Sequence, residues 1–272
     1  MQKKLGIIAG DGRFPVLLAE AARDNGYTII AVAHTGLSTQ DIEKIAERTY
    51  WIHIGEISRL IDIFKQEGIS EAVMAGGVSK KFMFRDAKPD LRALSLLFKI
   101  KDRKDDTLLR ALAEELRKEG IMIHEATAYI NSILVEDGTL TKRRPADDEW
   151  NDIEFGLEIA KDIGRLDIGQ CVVVKNRAVL AVEAIEGTDE AIRRGGRLAN
   201  GGAVVIKVCK PGQDIRFDLP TVGPTTINSM REVDARTLAV EAGMTIMIDK
   251  DDMIRSADEA GISIVGITND QA

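Results

Sequence analysis

Charged residues alternate with apolar ones in a segment of the second half of the chain, between Lys207 and Gly223. Asp214, Arg216 and Asp218 are separated from one another by single apolar residues. A period of two is that of an extended strand, so the three charges would share one face. The prolines and glycine that follow are typical of the end of a strand. This pattern predicts either a catalytic site or an edge strand with solvated ion pairs.

Further carboxylates in the second half extend the chemistry that is possible there. They are Glu183, Glu186, Asp189 and Glu241. Carboxylate oxygens suit Mg²⁺ or Mn²⁺, which takes one or two carboxylates and shares its other positions with water and substrate phosphate. Cations such as Lys207, Lys210 and Arg216 neutralise charge that develops on a phosphoryl group. The residue types therefore predict metal-assisted phosphate chemistry.

Two glycine turns follow apolar runs in the first half of the chain. Gly10 and Gly12 follow the run LGIIA, and Gly76 and Gly77 follow the run AVMA, with Lys80 close behind. Ligands of parallel sheets bind beyond the carboxyl ends of the strands, where backbone amides can hold phosphate. Both turns are therefore expected to border one crevice, with a merely tight turn as the alternative in each case.

Apolar periodicity predicts the elements that position these residues. In the first half it predicts strands at residues 5–9, 28–33, 50–54, 72–75 and 121–124, and helices at 15–26, 56–67 and 104–119. Strands that alternate with helices through short links predict a doubly wound α/β domain, Rossmann-like, with a parallel sheet.

The second half reads as α+β. Strands are predicted at residues 170–174, 179–184, 203–208, 237–239, 245–248 and 262–265, with a hairpin turn at 175–177, and helices at 188–197, 224–233 and 251–260. Thr188 is the expected N-cap of its helix. The polar stretch 135–152 is expected to link an N-terminal domain, 1–134, to a C-terminal domain, 153–272, that carries the catalytic aspartate.

Composition argues against several classes of function. Hydrophobic residues make up 44% and charged residues 30% of the chain, as in folded proteins, while a net charge of −7 and 4% aromatic residues disfavour nucleic-acid binding. Cys171 and Cys209 lie in valine-rich runs and are expected to be buried, with a disulfide left open. The three histidines are scattered, so zinc is not expected. Neither a signal peptide nor a spanning segment is predicted, which favours a cytoplasmic protein.

A nicotinamide or flavin cofactor is also not expected. Pro15 stands where a dinucleotide-binding turn has its third glycine, and the second predicted strand ends without an acidic residue for a ribose diol. No serine lies in a nucleophile-elbow context, so acyl transfer has no candidate nucleophile.

Motifs along nearly the whole chain occur together in one known family. They are GIIAGDGRFP (6–15), AGGVSK (75–80), DDTLLRALAEEL (105–116), LDIGQ (166–170), VEAIEGTDEAIRRG (182–195), KPGQDIRFDLPTVGPTTI (210–227) and AVEAGMT (239–245). In these motifs the chain resembles the bacterial UDP-2,3-diacylglucosamine pyrophosphatases of lipid A biosynthesis that attack the α-phosphate. The motifs of the second half are the more specific.

The resemblance implies a Mg²⁺-dependent, or Mn²⁺-dependent, enzyme in which water attacks the α-phosphorus to give UMP and 2,3-diacylglucosamine 1-phosphate, lipid X. It places the essential aspartate at Asp218, which would also hold the metal. Asp214, on the same predicted face, is the alternative, and Arg216 lies between them. Substrate contacts are predicted at Gly10, Gly12, Gly76, Gly77, Lys80, Asp106, Gln170, Thr188, Lys207 and Gln213. For Asp106, a favourable helix start is the competing interpretation.

The substrate also implies partners. A homodimer is expected, with domain swapping as an option, together with transient contact with the cytoplasmic side of the inner membrane. Residues 91–100 would line an acyl groove or face the membrane, unless they form an ordinary buried helix. Two other functions stay open: a pyrophosphatase for a different nucleotide-linked sugar, and a nucleotide-sugar binding protein without catalysis.

Overall fold

The chain divides into two units in a computed structural model that describes residues 3–78, 87–99, 105–130, 133–217 and 219–268. The first unit comprises residues 1–131 and 214–218, and the second comprises 132–213 and 219–272. Residues 214–217 therefore belong with the first unit, although the chain on both sides of them belongs to the second. The expected domain boundaries, with a linker at 135–152, stay a prediction.

The first unit alternates strands with helices. Its elements are β1 (Lys4–Ala9), α1 (Phe14–Asp24), β2 (Thr28–His34), β3 (Arg48–Ile52), α2 (Ile57–Gln66), β4 (Glu71–Ala75), α3 (Leu91–Lys99), α4 (Asp105–Lys118) and β5 (Met122–His124), with 3₁₀ helices at Gln40–Lys44 and Ala126–Tyr129. The strands form one parallel sheet in the order β3-β2-β1-β4-β5. This confirms the predicted Rossmann-like sheet and places the carboxyl ends of β1 and β4 side by side.

The core of the first unit explains why β1 is a continuous apolar run. A central strand covered on both faces is buried along its whole length, and residues 5–9 are buried without interruption. Phe64 of α2 and Leu116 of α4 are fully buried in the same core. Phe217 packs into it as well, which ties residues 214–217 to this unit.

The second unit contains a mixed sheet with helices. Its elements are β6 (Gly138–Thr139), α5 (Asp147–Arg165), β7 (Cys171–Lys175), β8 (Ala178–Val182), α6 (Thr188–Ala199), β9 (Val204–Lys207), β10 (Thr221–Val222), α7 (Pro224–Arg231), β11 (Thr237–Glu241), β12 (Ile246–Met247), α8 (Lys250–Ala260) and β13 (Ser263–Ile267). The main sheet has the order β6-β13-β11-β9-β7-β8, and β10 pairs with β12 separately. Strands β9, β11 and β13 are parallel to one another, whereas β6, β7 and β8 pair antiparallel.

Alternate residues of the central strands face two different cores. Val173 and Val205 pack with Ile192 and other residues of the helices that follow β8. Val172 and Ile206 pack instead in a second core, with residues of α5. The period of two along each strand thus produces a sheet covered on both faces.

Two features of this unit differ from the sequence prediction. Helix α5 was not predicted, and its acidic first turn lies in the stretch 135–152, which also contains β6. Thr188 is not the N-cap of α6, because Gly187, at φ 88°, holds that position and Thr188 begins the helix. Only glycine adopts such a backbone conformation without strain.

Candidate active-site residues

The two glycine turns pack against each other at the carboxyl edge of the first sheet. The amide of Gly10 donates to the carbonyl of Ala75 at 2.7 Å, and that of Asp11 donates to the carbonyl of Gly77 at 2.8 Å. A Cβ on Gly10 would lie 2.6 Å from the carbonyl oxygens of Gly76 and Gly77, so no larger residue fits there. Gly10 is therefore explained by the contact between the turns.

Gly12 and Gly77 differ, because a Cβ on either would meet nothing within 4 Å. These two positions are open to a ligand. However, the amide of Gly12 already donates to Oδ1 of Asp11 at 2.7 Å. A phosphate at this helix start would have to displace or avoid that carboxylate.

His34 and Ser38 lie at the same edge, and neither was predicted to belong to this site. The hydroxyl of Ser38 donates to the carbonyl of Ala9 at 2.7 Å and accepts from the amide of His34 at 2.8 Å. Burial lowers the pKa of His34, against the effect of its hydrogen bond to the Ala9 backbone, so a neutral ring is favoured. His34 is the last residue of β2.

Residues 214–217 form a turn instead of the predicted extended strand. The amide of Phe217 donates to the carbonyl of Asp214 at 3.0 Å, and the carboxylate of Asp214 accepts from the amide of Arg216 at 3.2 Å. Such local bonds from an aspartate side chain favour turns over strands. The prediction that alternate residues here share a strand face is therefore wrong.

Asp214 is held by one cation of this turn and by a second cation on α4. Its two carboxylate oxygens accept from Nε and Nη2 of Arg216 at 2.8 and 2.6 Å, and Nε of Arg110 on α4 lies 3.8 Å from Oδ2. The hydrogen bonds from Arg216 lower the pKa of Asp214 despite its burial. The guanidinium of Arg216 also stacks over the ring of Phe217, with 4.9 Å from Cζ to the ring centroid. Asp214 is thus an ionised anchor of the turn.

In the second unit, the carboxylate of Glu183 contacts Thr188 and Gln170, two of the residues predicted to contact the substrate. Its Oε1 accepts from the hydroxyl of Thr188 at 2.8 Å, and its Oε2 accepts from the amide of Gln170 at 3.2 Å. The side-chain oxygen of Gln170 is buried and has no partner among the described residues. Burial raises the pKa of Cys171, with Glu183 acting in the same direction and Lys207 in the opposite one. Glu183, Gln170, Thr188 and Lys207 therefore form one neighbourhood at the ends of β7 and β9.

Lys207 ends β9 as a buried cation. It is 7% exposed, and its ammonium donates to the carbonyl of Thr221 at 2.8 Å. An ammonium has three N–H donors, so this bond leaves capacity for an anion. The prediction of Lys207 as a substrate contact thus stays chemically reasonable.

A buried ion pair that was not predicted lies beside this neighbourhood. Glu241, at the end of β11, is 3% exposed; its Oε1 lies 2.5 Å from the ammonium of Lys161 on α5, and its Oε2 accepts from the amide of Cys209 at 2.5 Å. Lys161 also donates to the carbonyl of Cys209 at 3.1 Å. The pair therefore holds both backbone polar groups of Cys209, just after β9 ends.

The loop after Cys209 is tied down by its own side chains. The side-chain oxygen of Gln213 accepts from the amide of Lys210 at 3.1 Å, and the ammonium of Lys210 donates to Asp167 at 2.7 Å. Cys209 and Cys171 are buried thiols, as expected, and no disulfide joins them. Gln213 therefore shapes this loop, whatever contact it also makes with substrate.

Several predicted residues lie outside what the structure describes. These are Lys80, Asp218 and the side chain of Asp106. Across the described ranges, no group of three or more His, Cys, Asp or Glu is arranged to hold a metal ion. The carboxylates of Asp214, Glu183 and Glu241 all accept hydrogen bonds from protein donors. Within the same ranges, no helix is both long and apolar enough to cross a bilayer.

Comparisons with known proteins cover both units. Residues 4–133 match the family model of the LpxI N-terminal domain, and residues 136–265 match that of the LpxI C-terminal domain. The chain is 34% identical to the UDP-2,3-diacylglucosamine pyrophosphatase LpxI of Caulobacter vibrioides, over 97% of this chain and 98% of that protein.

Solved structures resemble the chain only distantly. The biotin carboxylase domain of Hydrogenobacter thermophilus 2-oxoglutarate carboxylase aligns with 65% of this chain and 36% of its own, at 16% identity and a TM-score of 0.29. The N5-carboxyaminoimidazole ribonucleotide synthetase of Thermotoga maritima aligns with 66% of this chain and 41% of its own, at 16% identity and a TM-score of 0.26. The chain spans less than half the length of either protein, and TM-scores this low do not establish a shared fold.

Proposed function

The chain belongs to the LpxI family, and we propose that it hydrolyses the pyrophosphate bond of UDP-2,3-diacylglucosamine in lipid A synthesis by attack of water on the α-phosphorus. The products are then UMP and 2,3-diacylglucosamine 1-phosphate. The observation that carries this proposal is the 34% identity to the Caulobacter enzyme over 97% of the chain, with both LpxI domain models matched.

Asp218 is the proposed essential aspartate. The alternative, Asp214, has both carboxylate oxygens bonded to Arg216 and a lowered pKa, so it is poorly suited to accept a proton. Asp214 and Arg216 then act together, since their ion pair fixes the turn that leads directly to Asp218.

Mg²⁺ or Mn²⁺ is the proposed cofactor. The described carboxylates bond to protein donors, but Mg²⁺ needs only one or two carboxylates when water and substrate phosphate complete its shell. Asp218, with pyrophosphate oxygens of the substrate, would hold the ion. When bound, a divalent ion polarises the phosphate and lowers the pKa of a coordinated water.

The neighbourhood around Glu183 is the proposed source of polar substrate contacts in the second unit. Lys207 would neutralise a phosphate, and the buried amide oxygen of Gln170 would accept a hydrogen bond from a sugar or amide group of the substrate. Glu183 would orient the hydroxyl of Thr188, to which it is already bonded. Replacing Lys207 by Met should raise KM more than it lowers kcat if this assignment is correct.

Isotope labelling tests the site of attack. In water enriched with ¹⁸O, attack at the α-phosphorus places the label in UMP, whereas attack at the β-phosphorus places it in the sugar phosphate. Mass spectrometry of both products decides between them. Turnover of water-soluble UDP-sugars but not of the lipid would favour another pyrophosphatase activity, and binding without turnover would favour a binding protein.

Paired substitutions test the choice of aspartate. Asp218→Asn should abolish turnover in the presence of Mg²⁺ and leave binding of substrate largely intact. Asp214→Asn should lower thermal stability and retain measurable turnover. The reverse pattern of kcat values would show that the two aspartates are wrongly assigned. Light scattering of the purified enzyme tests the proposed homodimer in the same preparations.

A further inference from the structure

A cavity of about 780 Å³ lies in the second unit, at the edge where the parallel strands of its main sheet begin. Gly202 lies just before β9 and Arg236 just before β11, and Lys175 ends the antiparallel strand β7 at the same edge. Lys207 ends β9 at the opposite edge, and the 4 residues of that strand span about 10 Å. The cavity is therefore separate from the neighbourhood around Glu183.

The lining of this cavity is strongly basic. It contains four cations, Arg143, Lys175, Arg231 and Arg236, and one carboxylate, Asp234. The lining thus carries a net charge of +3 in a chain whose total charge is −7. Charges of one sign gathered on a concave surface concentrate ions of the opposite sign there. The charge of the lining favours an anionic ligand.

Two of these cations are bound to other groups of the protein. The ammonium of Lys175 donates to the carbonyls of Ala199 at 2.8 Å and Gly201 at 2.7 Å, where helix α6 ends. Nη2 of Arg143 donates to Glu149 at 2.6 Å. The last carbonyls of a helix carry partial negative charge and would repel an anion. Lys175 neutralises that charge at the cavity wall, so the other cations determine what the cavity binds.

The other two cations, Arg231 and Arg236, are exposed side chains. Neither guanidinium makes a hydrogen bond or a salt bridge with any residue that the structure describes. Glu232, the neighbour of Arg231, accepts instead from Nε of Arg193 at 2.6 Å. The backbone of Arg236 is fixed at the sheet edge, because its amide donates to the carbonyl of Ala203 at 2.8 Å. Guanidinium groups bind phosphate through two parallel N–H bonds, so both arginines retain their full capacity for such a ligand.

We propose that this cavity binds a small anion with two or more phosphate groups, held by Arg231 and Arg236. Two guanidinium groups match two phosphate groups, and the volume lies in the range of roughly 300–1,000 Å³ that is usual for small-molecule sites. Binding at this edge of the sheet requires neither hydrolysis nor the neighbourhood around Glu183. The site is therefore independent of the proposed function.

Calorimetric titration with inorganic pyrophosphate, in buffer without divalent ions, tests the site. Wild-type protein should bind pyrophosphate at least about tenfold more tightly than orthophosphate, because two phosphate groups engage both arginines. Arg231→Gln and Arg236→Gln should each weaken pyrophosphate binding by about tenfold. Arg197→Gln removes the same charge from an exposed residue in the last turn of α6 that does not line the cavity, and it should bind like wild type. Lys207→Met should also bind like wild type, since Lys207 lies at the opposite edge.

Three outcomes would overturn the proposal. A wild-type Kd for pyrophosphate above about 10 mM would exclude the cavity as a phosphate site. Equal weakening by Arg197→Gln would show a general effect of charge. Binding that is lost in Lys207→Met but unchanged in Arg231→Gln and Arg236→Gln would assign the anion to the opposite edge. Thermal unfolding without pyrophosphate establishes that each variant is folded. Pyrophosphate binding with the expected loss in both arginine variants, in a protein that does not hydrolyse the lipid substrate, would support the site and overturn the proposed function.

Discussion

The buried pair of Glu241 and Lys161 should be a main source of stability in the second unit. In Glu241→Ala the ammonium of Lys161 loses its carboxylate, which lies 2.5 Å away, and the amide of Cys209 loses an acceptor at the same distance. Removing one partner of a buried pair costs about 3–5 kcal/mol. Lys161 is 23% exposed, so water replaces part of the lost interaction and the low end, about 3 kcal/mol, is expected. That loss corresponds to a decrease in Tm of roughly 6–12 °C.

A double-mutant cycle separates the charge from the hydrogen bond. Glu241→Gln keeps an acceptor for Cys209 but leaves the ammonium of Lys161 without a negative partner. Lys161→Met with Glu241→Gln removes both charges, and it should be more stable than Glu241→Gln alone, because no unpaired charge stays buried. Urea unfolding measures the four free energies. Glu154→Ala, on an exposed residue of the same helix, serves as the control and should change stability by less than about 0.5 kcal/mol.

Two results would refute this reasoning. One is a Glu241→Ala variant whose free energy of unfolding lies within about 0.5 kcal/mol of wild type, since surface substitutions alone cause changes of that size. The other is a double variant whose loss of unfolding free energy equals the sum of the losses in the two single variants, which would show that Lys161 and Glu241 do not interact energetically.

Three further predictions follow from single contacts. Gly10→Ala should lower the free energy of unfolding by at least about 2 kcal/mol, because its Cβ would lie 2.6 Å from two carbonyl oxygens. Gly77→Ala places its Cβ in open space and should leave the free energy of unfolding unchanged in the same urea titration. Equal effects of the two substitutions would contradict the packing of the turns. Arg216 lowers the pKa of Asp214 in the folded protein, so wild type should be more stable than Asp214→Asn. This difference in stability should be complete above the unfolded pKa of about 3.9 and be lost as the pH falls through the folded pKa. A difference in urea midpoint between the two proteins that does not change down to about pH 2.5 would contradict this prediction. Burial raises the pKa of Cys171, so iodoacetamide at about pH 8 should label this thiol only after denaturation, as peptide mass spectrometry can determine.

The pattern of apolar residues is sufficient to predict most strands and helices, because burial determines which positions are apolar. The run LGIIA identified β1 since a central parallel strand is covered on both faces. In β7 and β9 the two faces are also both buried, and the valine-rich runs again identify these strands. Helix α5 was not predicted, because its acidic first turn resembles a linker, although acidic residues also favour a helix start.

The site was less predictable, because its contacts join distant parts of the chain. Gly10 and Gly76 were attributed to phosphate binding, but each is also required by the close approach of the two turns. Lys161 carried no signal in the sequence, since its partner lies on a different element. The alternation of residues 214–218 suggested a strand, yet a strand also needs a neighbour to pair with. Instead, the carboxylate of Asp214 accepts a hydrogen bond from the amide of Arg216 within its own turn.

Under the proposed function, the ion pair of Asp214 and Arg216 would support catalysis without taking part in the reaction. A carboxylate bonded to a guanidinium at 2.6 and 2.8 Å is a weak base and has little capacity left for a metal. The same bonds make it an effective anchor, because they set the backbone of residues 214–217 against the core through Phe217. Asp218 follows this anchor directly in the sequence, so under the proposed function its placement would depend on the ion pair. Loss of Arg216 should therefore lower kcat as well as stability, whereas loss of Asp218 should lower kcat alone.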